Sequence, residues 1–173
     1  MLYISTRSEN NSSNNNFSKI IIEGLAADGG LYLPKKFPKF SSSEINNMVN
    51  MNYSELCTEI IYKYSGICLA KEDIQKISKN AYKNFGTSDV APMINIESDL
   101  NILELFHGPT LAFKDFALQF LSRVFNIFLE QEEKKVTIIG ATSGDTGSAA
   151  IEAFKNNSSA NIIILHPKGK VSE

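Results

Sequence analysis

The sequence of 173 residues predicts an α/β fold, with a parallel sheet in its second half and a small helix-rich segment before it. Runs rich in Val and Ile at residues 135–140 and 160–165 are typical of buried strands, and a helical pattern at 147–156 separates them. A strand, a helix and a second strand in this order predict a right-handed crossover between parallel strands. Residues 41–85 instead carry apolar side chains at helical spacing.

The first half of the chain is predicted to be mostly helical, with two short strands. Alternating side chains predict a strand at residues 2–6, and an extended run predicts another at 18–23. The Ser- and Asn-rich residues 8–16 between them predict a surface loop, and the glycine-rich residues 24–34 predict a tight turn. A capping box and helical spacing then predict three helices, at residues 42–51, 53–64 and 71–85.

The second half changes character after Gly86. Two strands are predicted at residues 92–96 and 101–106, and a long helix is predicted at 110–132. We therefore expect an N-terminal segment over residues 1–90 and the start of an α/β domain over residues 91–173.

Composition excludes several classes of protein. Hydrophobic residues make up 43% of the chain and charged residues 21%, which is close to globular averages. The net charge of −2 gives no global attraction to nucleic acid or to an anionic membrane, and no apolar run reaches the roughly 18 residues of a membrane span. With two cysteines and two histidines, neither a disulfide framework nor a metal site is indicated. Since no export signal is visible, we expect a soluble cytoplasmic protein with reduced thiols.

The segment ATSGDTG at residues 141–147 leads from a predicted strand into a predicted helix. This arrangement offers unpaired backbone N–H groups at a helix N-terminus, which favour an anionic oxygen of a carboxylate or phosphate. The segment matches neither G-x-G-x-x-G nor G-x-x-x-x-G-K-[ST], so it does not fit the usual dinucleotide and nucleotide loops. A plain tight turn between strand and helix is the alternative.

Lys114 lies in the first turn of the predicted long helix, beside an apolar stripe formed by Phe113, Phe116, Ala117, Phe120, Leu121 and Val124. Burial and the positive end of the helix dipole both disfavour an ammonium ion there, so they favour a nucleophilic free amine. Such an amine can condense with an aldehyde, as it does in pyridoxal phosphate chemistry. The alternative is a surface lysine paired with Asp115 or another acid.

Three separated motifs carry a resemblance to a known family. They are GLAADGGLYLP at residues 24–34, ELFHGPTLAFKDF at 104–116 and ATSGDTGSAA at 141–150. In this order, and with YISTR at residues 3–7, the sequence resembles the N-terminal part of threonine synthase over essentially its whole length.

The resemblance implies an enzyme that converts O-phospho-L-homoserine and water to L-threonine and phosphate with pyridoxal 5'-phosphate, on the fold of the tryptophan synthase β subunit. Lys114 matches the lysine that holds the cofactor and moves protons between substrate carbons. Ser143, Gly144 and Thr146 match the loop that receives the substrate carboxylate. Asp145 in the same loop is implied to lie beside the cofactor.

Two positions leave their roles open. Many relatives on this fold place Asn at the position of Asp145 to bond the cofactor's 3′ oxygen, and a carboxylate there repels a phenolate unless it is protonated or turned to another donor. His107 precedes Lys114 by seven positions. It either positions the turn or contacts substrate.

Members of the family are more than twice as long as this chain. The glycine-rich loop for the 5′ phosphate and the hydroxyl partner of the pyridine nitrogen are not found here, so we expect an incomplete domain, a fragment whose isolated form turns over little substrate. A non-catalytic remnant and a phospholyase of the same fold are the alternative functions.

Overall fold

The structure is a computed structural model that describes residues 1–8 and 15–169. The chain divides into two compact units, Met1–Ser78 and Lys79–Glu173. The predicted division into residues 1–90 and 91–173 stays a prediction. None of the helices among the described residues has the length and hydropathy needed to cross a bilayer.

The first unit contains one small antiparallel sheet and several helices. Strands β1 and β2 pair so that Tyr3 lies opposite Pro34 and Ser5 opposite Tyr32. In chain order the elements are β1 Tyr3–Ser5, α1 Phe17–Glu23, β2 Tyr32–Pro34, α2 Ser42–Met48, α3 Tyr53–Ser65, a short 3₁₀ helix Gly66–Cys68, and α4 Lys71–Tyr82, which continues into the second unit. The predicted helices at 42–51, 53–64 and 71–85 are thus confirmed, with the first and third ending three residues early.

The strand predicted at residues 18–23 is wrong, because this segment is helix α1. The side chain of Asn16 accepts a hydrogen bond from the backbone N–H of Lys19 at 2.9 Å, which caps the start of the helix. At the other end the N–H of Gly24 donates to the carbonyl of Ile20, and Gly24 has a φ of 70°. These two caps outweigh the strand preference of three successive isoleucines.

Residues 9–14 of the predicted surface loop lie outside the described residues. Asn15, at the end of that loop, is 5% exposed and exchanges backbone hydrogen bonds with Tyr3. The turn predicted at 24–34 is a packed turn over residues 24–31, whereas its last three residues form β2. The Ser5 hydroxyl donates to Asp28 at 2.6 Å, and this bond, with the N–H of Gly30, lowers the pKa of Asp28. A Cβ on Gly30 would lie 2.1 Å from the Ser5 oxygen.

Tyr3 connects β1 to the helices of this unit. Its hydroxyl donates to the carbonyl of Tyr64 at 2.7 Å, and its ring centroid lies 6.3 Å from that of Phe17. Burial, with smaller contributions from Tyr64 and Cys68, raises the pKa of Tyr3 from 10.0 to about 12.

We expect Tyr3→Phe to lower the free energy of unfolding by about 1 kcal/mol at neutral pH, because one hydrogen bond is lost. The raised pKa stabilises the fold fully below pH 10.0, and this contribution is lost as the pH rises toward about 12. Urea unfolding of Tyr3→Phe should therefore depend less on alkaline pH than unfolding of the wild type. Tyr62→Phe, at a side chain that is 43% exposed, is the control. An unchanged pH dependence in Tyr3→Phe would contradict this assignment.

The second unit contains a hairpin and a parallel pair of strands. After α4 the elements are β3 Met93–Glu97, β4 Leu100–Leu103, α5 Lys114–Gln131, β5 Val136–Ala141, α6 Asp145–Phe154 and β6 Ala160–Leu165. Strands β3 and β4 are antiparallel, whereas β5 and β6 are parallel, with Val136 opposite Ala160 and Ala141 opposite Leu165. The predicted strand–helix–strand unit and its parallel pairing are confirmed, and the chain is a mixed α/β protein with two-stranded sheets among its described residues.

Several details of this unit differ from the prediction, and strand β4 ends at Leu103 and not at residue 106. Helix α5 begins at Lys114 and not at Thr110, and α6 begins at Asp145 and not at Gly147. Strand β5 is not buried throughout, because its residues alternate between half-buried and exposed. The core cluster of Leu129, Phe154 and Ala160 packs against one face only, which carries Val136, Ile138 and Ile162.

Helices α5 and α6 run in the same direction. Residues 132–135 join α5 to β5 and residues 142–144 join β5 to α6, and each short connection reverses the chain, so both helices run antiparallel to β5. The rings of Phe125 in α5 and Phe154 in α6 lie 6.0 Å apart. Phe125 is eleven residues and Phe154 nine residues beyond the start of its helix. Since the two contacting residues lie at similar distances from the starts of their helices, both helices begin at the carboxyl end of β5.

Candidate functional site

Residues 107–113 form an irregular turn that is anchored to the first turn of α5. The backbone N–H of Thr110 donates to Oδ2 of Asp115 at 2.8 Å, and the Thr110 hydroxyl donates to Oδ1 at 2.8 Å. Asp115 is 0% exposed. A Cβ on Gly108 would lie 2.4 Å from the Asp115 side chain, so the turn packs directly on this carboxylate. Leu111 has a φ of 62°, which a leucine rarely adopts.

Lys114 is the first residue of α5, and its side chain is half-buried. Its Nζ lies 4.7 Å from the centroid of the Phe113 ring. Among residues 1–8 and 15–169 no carboxylate forms an ion pair with Lys114, and both oxygens of Asp115 are bonded to Thr110 instead. The alternative of a lysine paired with Asp115 is therefore wrong.

The apolar stripe predicted beside Lys114 is partly wrong. Phe113 is 59% exposed and Ala117 is exposed, whereas Phe120 and Val124 are buried as predicted. The buried face of α5 is more polar than the pattern suggested, and it consists of Asp115, Gln119, Phe120, Ser122, Val124, Phe128 and Leu129.

The segment between β5 and α6 has the open geometry that the sequence predicted. Gly144 is the residue before the helix, and no side chain caps the helix there. Its own N–H donates to the Thr142 hydroxyl at 3.4 Å. Within the described part of the chain the N–H groups of Ser143, Asp145 and Thr146 have no protein acceptor, and all three residues are exposed. This helix start can receive an anionic oxygen.

Gly147 holds α6 close to the strands. It is buried, and a Cβ there would lie 2.8 Å from Cγ2 of Thr142 and 3.1 Å from Cγ2 of Ile164. The side chain of Asp145, by contrast, has no hydrogen-bond donor among the residues that the structure describes. The predicted role of Asp145 beside a cofactor stays a prediction.

His107 is fixed at the start of the turn. Its Nε2 lies 2.6 Å from a carboxylate oxygen of Glu104, and its ring centroid lies 4.6 Å from that of Phe106. Its carbonyl accepts the N–H of Gly86 at 2.7 Å. These contacts favour the hypothesis that His107 positions the turn.

Both predicted parts of the site lie at the same end of the second unit, because Lys114 starts α5 and residues 143–146 lead into α6. Sequence reasoning missed the residues that hold this arrangement, which are Glu104, Gly108, Thr110 and Asp115. The available signal was a carboxylate five positions after a threonine that directly follows Gly108-Pro109. It was interpreted only as a partner for Lys114.

Comparison with known proteins agrees with the motifs. Residues 2–82 match the family profile described as threonine synthase N terminus. The threonine synthase of Pseudomonas aeruginosa is 44% identical over 173 residues, which make up 100% of this chain and 36% of that protein. The chain matches the N-terminal portion of threonine synthase. The resemblance stated from the sequence is thus confirmed.

Two further comparisons extend this result. The crystal structure of PLP-bound threonine synthase from Brucella melitensis superposes with a TM-score of 0.95 at 42% identity, over 99% of this chain and 37% of that one. Threonine synthase-like 2 of Rattus norvegicus is 37% identical over 159 residues, which are 91% of this chain and 33% of that protein. The chain spans about a third of the length of the proteins that it matches.

We expect Gly108→Ala to destabilise the second unit by about 1–3 kcal/mol, because its Cβ would overlap the buried Asp115 side chain. Gly86→Ala is the matched control, since a Cβ there would make only an ordinary contact, 3.7 Å from the His107 carbonyl oxygen, and Gly86 does not have a positive φ. We expect Gly86→Ala to change stability by less than about 0.5 kcal/mol. Denaturant unfolding of both variants measures the difference, and equal stabilities would contradict the packing described here.

Proposed function

We propose that this chain is the N-terminal portion of a threonine synthase that converts O-phospho-L-homoserine and water to L-threonine and phosphate. The observation that carries the proposal is the position of Lys114 at the start of α5, without an ion-pair partner among the described residues and at the same end as the unpaired N–H groups before α6. A free amine suits an aldehyde, and open N–H groups suit an anion. These residues therefore fit pyridoxal 5'-phosphate and a substrate carboxylate.

The proposed roles follow from the chemistry of each group. Lys114 attaches the cofactor through its Nζ and then moves protons at Cα, Cβ and Cγ of the substrate. The backbone N–H groups of Ser143 and Thr146 bind the substrate carboxylate, and Gly144 between them has no side chain that would keep the substrate away. Pyridoxal phosphate supplies an electron sink for carbanions when it is bound. Asp145 is proposed to lie beside the cofactor, with its carboxyl group either protonated or turned toward another donor.

The proposal also includes expectations about the domains, the location and the partner of the protein. Residues 91–173 form the start of the cofactor-binding domain of a tryptophan synthase β-like fold, and residues 1–90 form the segment before it. The proposed location is the cytoplasm. Its partner is the small-molecule substrate, and neither nucleic acid nor a membrane is involved.

A phospholyase of the same fold is the second candidate. The similarity is not confined to proteins named threonine synthase, since threonine synthase-like 2 of Rattus norvegicus shares 37% identity with the chain. A phospholyase would release the same phosphate but leave an oxo acid. The product therefore separates the two functions.

The cofactor assignment can be tested in a chimaera in which this chain replaces the matching N-terminal third of the Pseudomonas aeruginosa enzyme. We expect borohydride to fix a pyridoxyl group on Lys114, and Lys114→Ala to abolish both this label and the cofactor's visible absorbance. Lys83→Ala removes an exposed lysine of the same unit and is the matched control. Recovery of the pyridoxyl group on another side chain would refute the assignment.

The reaction can be tested in the same chimaera with O-phospho-L-homoserine. We expect equal amounts of inorganic phosphate and threonine, and a loss of more than about a hundredfold in kcat for Lys114→Ala, because general acid–base catalysis alone contributes at least that factor. Phosphate released with an oxo acid and no threonine would support the phospholyase. A folded chimaera that releases no phosphate would contradict both functions.

A further inference from the structure

The carboxylate of Asp115 is fully buried yet makes no contact with a cation among the described residues. A buried charge is costly unless hydrogen bonds satisfy it. Both of its oxygens are satisfied by one residue, Thr110, through the backbone N–H and the hydroxyl at 2.8 Å each. Asp115 thus ties the first turn of α5 to the middle of the turn at residues 107–113.

The turn needs such a restraint, because its conformation is not one that its sequence favours. Leu111 has a φ of 62°, and its N–H donates to the carbonyl of Gly108 at 3.0 Å. A non-glycine residue in this region is strained and persists only when its surroundings fix it. Gly108 is buried against Asp115 with no room for a Cβ, so the same carboxylate contacts the turn at Gly108 as well as at Thr110.

Lys114 lies immediately beside this restraint. On its N-terminal side the turn is bonded to Asp115, and on its C-terminal side the carbonyl of Phe116 accepts the hydroxyl of Tyr82 at 3.1 Å. The N–H of Asp115 also donates to the carbonyl of Ala112 at 3.0 Å, across Lys114. The backbone of Lys114 is therefore fixed by its neighbours, while its own amine forms no hydrogen bond or ion pair within the described chain.

We propose that Asp115 is a positioning residue for Lys114: its hydrogen bonds to Thr110 hold the 107–113 turn in the conformation that presents the Lys114 amine. The inference rests on the proposed function, in which Lys114 attaches the cofactor. The hydrogen bonds and the turn that it concerns lie within this chain. When the Asp115–Thr110 bonds are lost, the turn relaxes and Lys114 adopts a less defined position in a chain that stays folded.

Two variants test this in the full chain. Asp115→Asn keeps the shape but replaces one acceptor by an N–H₂ group that faces another donor, and Thr110→Val removes only the hydroxyl donor. Thr110→Ser retains the hydroxyl and is the matched control, and Asp99→Asn removes an exposed carboxylate as a second control. Circular dichroism identifies the folded variants, and Thr110→Val provides the test if Asp115→Asn does not fold.

The first readout uses formaldehyde with cyanoborohydride, a small probe that methylates any accessible amine. Peptide mapping gives the rate at Lys114 relative to exposed Lys83 in the same sample. Because the Lys114 side chain is half-buried in the wild type, a relaxed turn should expose it to this small probe, and we expect the ratio to rise toward one in Asp115→Asn and Thr110→Val. We expect it to stay at the wild-type value in Thr110→Ser and Asp99→Asn. A wild-type ratio in folded Asp115→Asn and Thr110→Val would overturn the inference and leave Asp115 with a purely structural role.

The second readout uses the same variants within the chimaera, with pyridoxal 5'-phosphate trapped by borohydride. We expect capture at Lys114, relative to Lys83, to fall by at least about tenfold in Thr110→Val, since one hydrogen bond to a charged group corresponds to a factor of about ten to a hundred. If the wild-type chimaera captures no cofactor at Lys114, the proposed function fails, whereas the formaldehyde ratio still decides the role of Asp115. The two failures are thereby distinguishable.

Discussion

The buried carboxylate of Asp115 is the interaction on which the geometry around Lys114 depends. It is 0% exposed and accepts two hydrogen bonds from Thr110, and the absence of a side chain at Gly108 lets the turn pack against it. The glycine, the threonine and the aspartate thus serve the same purpose. A buried carboxylate needs hydrogen-bond donors for its oxygens, Thr110 supplies them, and Gly108 leaves room for the turn to approach. An irregular turn acquires a single conformation in this way without belonging to a helix or a strand.

The helix starts show where the chain leaves polar groups open. In the first unit α1, α2 and α3 are each capped by a side chain, from Asn16, Ser41 and Asn52. Helix α6 instead begins after Gly144 with no side-chain cap. Glycine in place of a capping side chain costs only a few tenths of a kcal/mol, so Gly144 leaves these N–H groups open at little cost in stability. This open helix start lies at the same end of the unit as Lys114, which has no carboxylate partner among the described residues, and both features suit the binding of an anionic ligand.

Much of the fold could be predicted from local patterns, and the errors have physical causes. The capping box at Ser41 and Glu44 located α2 correctly, because both hydrogen bonds of the box form. Helix α1 was misassigned since its isoleucine run favours strands, while the decisive bond from Lys19 to Asn16 lies outside the run. The start of α5 was predicted four residues too early, at Thr110. Helical spacing could not reveal that Thr110 is hydrogen-bonded to Asp115 in the preceding turn, so that the helix begins only at Lys114. The loop and lysine of the candidate site were found from sequence, whereas the residues that hold them were not, since burial decides their role.

Burial was also the weaker prediction for the strands, although their pairing was correct. Both β5 and β6 are apolar at nearly every position, which is typical of strands covered on two faces. The described residues cover one face with α5 and α6, and they leave Ile139 68%, Ile163 50% and Leu165 58% exposed on the other. The composition of a strand reflects every surface that packs on it, but it contains no information on which part of a chain supplies each surface. Parallel pairing needs only the order of elements and the length of the connection between them, so it can be predicted from a segment of this length when burial cannot.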